Sequence, residues 1–223
     1  MMIHVMSYQI AIFFKNRIDR PDIFLSTLND SSGNLFDKMP QIIPLPDDIP
    51  EEFPRVSSRS SSEPYFINIA LKRMEFTLNV IDSKKTEQEC YSDFILKSKL
   101  IINSIPGDIS INRIGLIGNY FYSDKNPSLA LARRFLKKDL GNISEFNLRF
   151  NKPFEEFGFE FNNILSIGNV NFILKNIESS GVYIQRDINN TPAKNKEIGK
   201  NIAIDILNNK VKMLSSSLIE EVI

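Results

Sequence analysis

The feature that most constrains the fold is a long run of alternating side chains at residues 109–122. One set of alternate positions holds Ile109, Ile111, Arg113, Gly115, Ile117, Asn119 and Phe121. The other set holds Asn112, Ile114, Leu116, Gly118, Tyr120 and Tyr122. Because successive side chains of a strand point to opposite faces, the run predicts one long strand within a sheet. Two shorter alternating runs, 65–71 and 74–80, flank Lys72 and Arg73 and predict a tight hairpin.

The remaining segments predict more strands and four helices. Strand-forming residues are concentrated at 3–14, 55–61, 143–151, 157–161, 169–175 and 182–188. Helix signals fall at 21–28, 83–105, 126–140 and 196–222. This order lacks the regular strand–helix alternation that builds a parallel sheet. It predicts an α+β fold, mainly an antiparallel sheet of hairpins with helices packed on one face and a long C-terminal helix.

The chain length and the proline distribution predict the domain organisation. A chain of 223 residues is within the range of a single sheet-rich domain, so we expect one domain over 1–223. Pro40, Pro44, Pro46, Pro50 and Pro54 are too closely spaced for regular structure. The apolar residues among them favour an extended segment at about 29–54 that follows the protein surface. The alternative is a disordered linker.

Charge and cysteine content restrict the function classes. The chain has 27 basic and 27 acidic residues, whereas a non-specific DNA binder usually carries a basic excess. The single cysteine, Cys90, excludes an intrachain disulfide and fits a reducing compartment. No secretion signal and no apolar run of membrane-spanning length is present. We therefore predict a cytoplasmic protein without a membrane partner.

No motif of a known catalytic or cofactor site is present. With His4 as the single histidine, the chain cannot build a zinc site of histidines and cysteines. Phosphate-binding glycine loops and the G-x-S-x-G turn are also missing. We therefore predict no catalytic residues, no metal and no cofactor, and a non-enzymatic role is favoured. The nearest nuclease-like grouping, Asp187 with Glu197 and Lys200, matches no established spacing.

Arg113 is the most informative candidate for binding. It shares its face with Ile111 and Ile117, and a buried arginine needs a partner. One interpretation is a pocket for an anion or a partner's carboxylate, built from Arg113, Asn119, Tyr120 and Asp187. The other is a structural ion pair between Arg113 and Asp187. If that pair is buried, Arg113→Ala should cost about 3–5 kcal/mol.

The predicted C-terminal helix supplies a candidate partner interface. Its apolar residues recur at the alternating spacing of three and four residues that forms a coiled-coil seam. They are Ile204, Leu207, Val211, Leu214 and Leu218. A helix of this length extends beyond one small sheet, which indicates a protein partner or a homo-oligomer. On this hypothesis, deleting residues 212–223 leaves a folded protein. The alternative is a helix packed entirely on its own sheet.

Three segments carry a resemblance to a known family. Arg113-Ile-Gly-Leu-Ile-Gly-Asn-Tyr resembles the Arg-Ile-Gly-Leu-Arg-Tyr-Ile-Asn signature of a sporadically distributed bacterial family of uncharacterised proteins. The Pro54-Arg55-Val56 run with Arg59-Ser60 is similar to that family's lead-in to a hairpin, and 181–189 is similar to its late strand. The resemblance covers about residues 40–223. The scattered distribution of the family implies mobile genes, which often belong to phage-defence systems.

Two functional hypotheses follow. The first is a non-catalytic interaction subunit or adaptor of a larger bacterial assembly, with a role in phage defence implied by the resemblance. The second is a nucleic-acid-binding or metal-dependent nuclease subunit. Basic residues at 133–134 and 137–138 support the second, but they also fit a solvated helix face. The run 55–63 can likewise contact phosphate or form a polar edge strand.

Overall fold

The computed structural model describes residues 2–46, 48–138, 140–174, 177–192 and 197–222. Within them, ten strands form one sheet: β1 His4–Phe14, β2 Gln41–Ile42, β3 Val56–Arg59, β4 Tyr65–Ile69, β5 Arg73–Asn79, β6 Ile111–Ser123, β7 Asn147–Asn151, β8 Phe154–Glu156, β9 Phe159–Leu174 and β10 Ile177–Asn190. The helices are α1 Pro21–Ser31, α2 Glu87–Ser104, α3 Pro127–Phe135, α4 Lys200–Lys210 and α5 Ser216–Glu220.

The sheet is antiparallel at every described pairing, and its strand order is β2-β3-β4-β5-β1-β6-β10-β9-β7. The short β8 pairs with the end of the long β9. Helices of the described residues pack on one face of this sheet, where Phe24 of α1 contacts Phe14 and Phe94 of α2 contacts Tyr8. The predicted α+β class is therefore confirmed.

The element order repeats once along the chain. The first half runs β1, α1, a meander of β3, β4 and β5, and then α2. The second runs β6, α3, a meander of β7, β9 and β10, and then α4. In each half the opening strand lies beside the last meander strand, and β1 pairs with β6 in the middle. The halves are thus related by an approximate two-fold axis through the sheet. The repeating unit is about half of the chain, which is far longer than a solenoid repeat.

Alternation within the strands decides which side chains form the core. Tyr8 of β1, Phe76 of β5 and Tyr120 of β6 point to the helix-covered face and are fully buried. The ring of Phe94, from α2, stacks on Phe76 at a centroid distance of 6.0 Å. The helix α2 begins after Thr86, which accepts a hydrogen bond from the Glu89 backbone and completes a capping box. The predicted helix at 83–105 is correct except for its first turn.

The later strands are longer than their sequence signals indicate. The sequence predicts separate strands at 157–161 and 169–175, the last residue of which lies outside the described part of the chain. In the structure β9 continues through the Asn162-Asn163 pair and Gly168. Asn162 stays in the strand because its side chain is hydrogen-bonded to Asn151 and Asn189. A Cβ on Gly168 would overlap the end of the exposed Asn147 side chain, which would have to turn aside.

The prediction of one long C-terminal helix over 196–222 is wrong, although a C-terminal helix is present. Residue 196 lies outside the described residues, and α4 ends at Lys210. A 3-10 turn follows at Val211–Leu214, Ser215 is extended, and α5 adds only five residues. The tighter turn places both Val211 and Leu214 in the core. Burial of these side chains therefore outweighs continuation of the helix.

Polar contacts hold the described part of the proline-rich segment against the rest of the protein. The Arg55 guanidinium donates to the Leu45 carbonyl at 2.9 Å and to the Ile49 carbonyl at 3.4 Å. The backbone N–H of Leu71 donates to the Glu51 carbonyl at 2.9 Å. Ile42 and Phe53, by contrast, are exposed. Arg55 is therefore an anchor for this segment.

No helix in the described ranges is long and apolar enough to cross a membrane.

Candidate functional site

The candidate site lies on the face of the sheet opposite the helices, which we call the open face. In the register of β1 with its two neighbours, Phe13 lies directly between Arg73 of β5 and Arg113 of β6. The three side chains therefore form one row across three central strands. All three side chains are half-buried, because each covers part of the next one in the row.

The row forms an arginine–phenylalanine–arginine sandwich. The guanidinium carbon of Arg113 lies 4.7 Å from the centroid of the Phe13 ring, and that of Arg73 lies 5.1 Å from it. Cations at these distances are attracted to the ring face. Arg73 also forms a salt bridge with Glu75, two residues along β5. Phe13 therefore holds two like charges close together on one surface.

Both arginines retain unused hydrogen-bonding capacity. The Nε atoms of Arg73 and Arg113 are buried and have no hydrogen-bond partner among the residues that the structure describes. Burial and the nearby Arg113 charge lower the pKa of Arg73 below its ordinary value, whereas the charges of Asp187 and Glu52 act in the opposite direction. The Nη groups of Arg113 also donate to no described residue and are not fully buried, so they can donate to an oxygen ligand.

The next row of the open face contains small side chains. Gly115 of β6 lies between Ala11 of β1 and Asn189 of β10. Both Gly115 and Ala11 are buried, so the longer side chains around them lean over this row. A Cβ placed on Gly115 would lie 3.8 Å from Oδ1 of Asp187. The carboxylate of Asp187 therefore overhangs the glycine.

A chain of side-chain amides fixes the position of Asp187. Asn151 donates to Asn162 at 2.8 Å, Asn162 donates to Asn189 at 3.2 Å, and Asn189 donates to Oδ1 of Asp187 at 2.9 Å. Arg113 and Asp187 do not approach within salt-bridge distance: among the described residues Arg113 forms no ion pair at all. The predicted Arg113–Asp187 ion pair is therefore wrong, because β10 places Asp187 beside Ile117 rather than Arg113.

Asn119 is the centre of a second polar network on the open face. It donates to the Ser7 hydroxyl at 2.9 Å and accepts from the Tyr183 hydroxyl at 2.6 Å. Gln185 donates to the same Asn119 oxygen at 3.1 Å. The network joins β1, β6 and β10. Asn119 thus lies on the same face as Arg113, as predicted, but its hydrogen-bonding groups are already satisfied.

Tyr120 does not belong to the open face. It is completely buried under the C-terminal segment, and its hydroxyl donates to the Leu214 carbonyl at 2.6 Å. Burial raises its pKa well above the ordinary tyrosine value. A Cβ at Gly118 would overlap the Tyr120 hydroxyl, so Gly118 leaves room for this ring and not for a ligand. Strand alternation separates Tyr120 from Arg113, Asn119 and Asp187.

The apolar residues of the predicted C-terminal coiled-coil seam are not available as a surface for a partner. Leu207, Val211 and Leu214 are in the core of this chain, and Ile204 and Leu218 are half-buried. The break between α4 and α5 also removes the regular spacing that a coiled coil requires. The alternative, a segment packed on its own sheet, describes these residues better.

The nuclease-like grouping is not assembled. Glu197 forms a 2.7 Å salt bridge with Lys15, and Lys200 donates to the Asn103 carbonyl at 2.9 Å, at the end of α2. Asp187 lies on the open face and contacts neither residue. Within the described residues, no cluster of three or more histidine, cysteine or acidic side chains is placed to hold a metal ion. The helix α3 ends at Phe135, so Lys137 and Lys138 do not continue its basic face.

Phe13, Arg73 and Glu75 were missed by the sequence analysis. Arg73 was assigned to a hairpin turn, whereas it is the first residue of β5. The alternation of Phe13 with buried Ile12 and Phe14 could have placed it on a solvent-facing surface. Alternation alone could not show that Phe13 lies between Arg73 and Arg113, since β1 pairs with strands that are distant in the chain.

Comparison with known proteins gives no assignment. Neither a scan against protein-family models nor a search of curated proteins finds a match to this chain.

Proposed function

We propose that this protein is a non-catalytic interaction subunit or adaptor of a larger bacterial assembly, and that it binds its partner through the open face of the sheet. The observation that supports this is the state of Arg113, a half-buried cation with no ion pair among the described residues and with a buried, unpaired Nε. A binding partner can supply an acceptor to the Nη groups of Arg113, which are not fully buried and donate to no described residue. Association with phage defence rests on the family resemblance alone.

The remainder of the open face suits recognition rather than chemistry. The amide chain that ends at Asp187 and the network around Asn119 hold polar side chains in fixed positions. Fixed side chains lose little conformational entropy when a partner binds, which favours association. No group of acidic, histidine or cysteine side chains among the described residues is placed to hold a metal ion.

Site-specific photo-crosslinking in the native host would test this proposal. A photoreactive amino acid replaces Thr77, which lies on the open face, or Leu96, which is exposed on α2. We expect a discrete crosslinked protein product from position 77 and none from position 96, because only the former faces the partner. The proposal is contradicted if position 77 gives no product, or if both positions give the same products.

The alternative, a nucleic-acid-binding subunit, has one observation in its favour. Arginines occur on the open face in both halves of the sheet, at Arg59, Arg73, Arg113 and Arg149. The neutral net charge and the carboxylates beside the central pair disfavour it. A salt titration discriminates, since phosphate contacts produce a steep dependence of the binding constant on salt concentration.

A further inference from the structure

We propose that Arg113 is the receptor for a single acidic side chain, glutamate or aspartate, of the partner protein. This inference rests on the proposed function and specifies the chemistry that the open face recognises. A guanidinium offers a planar pair of N–H donors that matches a carboxylate. Contact with the Phe13 ring restricts the position of the Arg113 group, which prepares it for such a ligand.

Arg113 is the available member of the pair. Arg73 is already bound to Glu75, which leaves its guanidinium partly neutralised. Asp187 accepts a hydrogen bond from Asn189 and stays beyond salt-bridge distance from Arg113. The two arginine charges on opposite faces of Phe13 repel each other. Glu75 neutralises part of the charge on Arg73 alone. A carboxylate at Arg113 would therefore reduce the remaining repulsion between the two arginines.

The carboxylates around the site decide between one acid and a polyanion. Glu75 lies two residues from Arg73 on β5, and Asp187 overhangs Gly115 beside Arg113. Charges within roughly 8 Å of one another are only weakly screened at physiological salt. A nucleic acid presents a dense line of phosphates, some of which would fall against these carboxylates. A single carboxylate brings one negative charge to Arg113 and is therefore repelled less than a row of phosphates.

The surroundings of Arg113 fit a polypeptide. The amide of Asn189 lies in the adjacent row of the open face, and those of Asn119 and Gln185 lie further along β6 and β10. Amide side chains can donate to and accept from peptide groups, and none of these three carries a charge. The complementary surface therefore combines one acidic residue with uncharged hydrogen-bonding groups.

The test uses the whole protein and three probes. Two blocked pentapeptides, Gly-Ser-Glu-Ser-Gly and Gly-Ser-Gln-Ser-Gly, differ only in the carboxylate, and a single-stranded thymidine decamer represents nucleic acid. Binding is followed by NMR through the Nε–H signal of Arg113. We expect a saturable shift with the glutamate peptide and at least a tenfold weaker response with the glutamine peptide and the decamer.

Two variants provide the controls. Arg113→Gln should abolish the response to the glutamate peptide. In this variant, binding is followed through the backbone amide signals of β6. Its melting temperature shows whether the variant is folded. Arg149→Gln, an exposed arginine on the same face in β7, should leave the response unchanged. The inference is overturned if the two peptides bind equally, or if both variants lose the same amount of glutamate-peptide binding. It is also overturned if the decamer binds more tightly than the glutamate peptide and its binding depends on Arg113.

The two proposals can fail separately. If photo-crosslinking at position 77 yields a partner whose yield is the same in Arg113→Gln and Arg149→Gln, the open face is an interface but the acidic-residue inference is wrong. If the glutamate peptide binds as expected and no crosslinked partner forms, the carboxylate site is correct and the adaptor proposal is contradicted.

Discussion

The two faces of the central strands differ in what holds them in place. On the helix-covered face, Tyr8, Phe76 and Ile114 are buried and belong to one apolar core. On the open face, Ser7, Thr77 and Arg113 alternate with them along the same three strands and are half-buried. The first face is held by apolar burial and the second by hydrogen bonds and one ring sandwich.

This contrast separates stability from recognition. Burial of large side chains contributes several kcal/mol per residue, whereas a partly solvated hydrogen bond contributes about 1 kcal/mol. Substitutions on the helix-covered face should therefore unfold the protein. Substitutions on the open face should leave the protein folded and alter what it binds.

The largest effect should follow deletion of residues 212–223. The deletion removes Leu214 and Ile219, both completely buried, and the carbonyl acceptors of Tyr120 and Arg186. Each buried side chain contributes about 1.5–3 kcal/mol. We expect a largely unfolded product by circular dichroism, in contrast to the folded protein that the sequence alone predicts. A deletion variant that melts cooperatively at the wild-type temperature would contradict the assignment of this segment to the core.

Adjacent residues of β5 allow a direct comparison of the two faces. Phe76 contacts the rings of Phe36, Tyr65 and Phe94, whereas Thr77 points to the open face. Phe76→Ala should lower the free energy of unfolding by about 3–5 kcal/mol. Thr77→Ala should change it by less than about 1 kcal/mol. Urea titrations measure both, and similar losses would show that the open face is not exposed.

Lys210 is a charged residue on the helix-covered face. Its side chain is only 7% exposed, contacts the Phe154 ring at 4.7 Å and forms a salt bridge with Glu156. Glu156→Gln should cost about 1–2 kcal/mol, because it leaves the buried ammonium without its carboxylate. Lys210→Met should cost less, since it removes the charge and keeps the volume. If Lys210→Met is the more destabilising of the two in urea, the ion pair is itself a main source of stability.

Arg113→Gln should have a small effect on stability. The cation–ring contact that it removes is worth about 0.5–1 kcal/mol, well below the loss expected for a buried ion pair. The measurement is the urea midpoint of this variant beside that of Arg149→Gln. A loss above about 3 kcal/mol would indicate that Arg113 supports the sheet and is not held for a ligand.

Acid should weaken two ion pairs at the margins of the sheet. Hydrogen bonds from the Lys15 and Ser110 side chains lower the pKa of Glu197, and a hydrogen bond from Lys72 lowers that of Glu51. A carboxyl group with a depressed folded-state pKa contributes stability above its unfolded value near 4. That contribution is lost as the pH falls through the folded value. Urea midpoints between pH 6 and pH 3 should therefore decline less in Glu197→Gln than in the wild type.

The sequence by itself determined the alternation of the strands and hence the fold class. Period-two patterning is local, so residues 109–122 are sufficient to place Arg113 and Asn119 on one face and Tyr120 on the other. The helix α2 was equally predictable, because its capping residue and terminal proline are adjacent to it in sequence. Arg113 was identified for the same local reason, as a charge within an apolar run.

Only the tertiary structure decided what Arg113 contacts. Its neighbour Phe13 comes from β1 and the second arginine from β5, and both positions depend on the register of strands that are distant in the chain. The same register placed Asp187 beside Ile117 and removed the expected ion pair. The C-terminal segment is a further case, since the core accommodates Val211 and Leu214 only if the helix tightens after Lys210. Such choices depend on burial summed over many distant residues, which no local pattern contains.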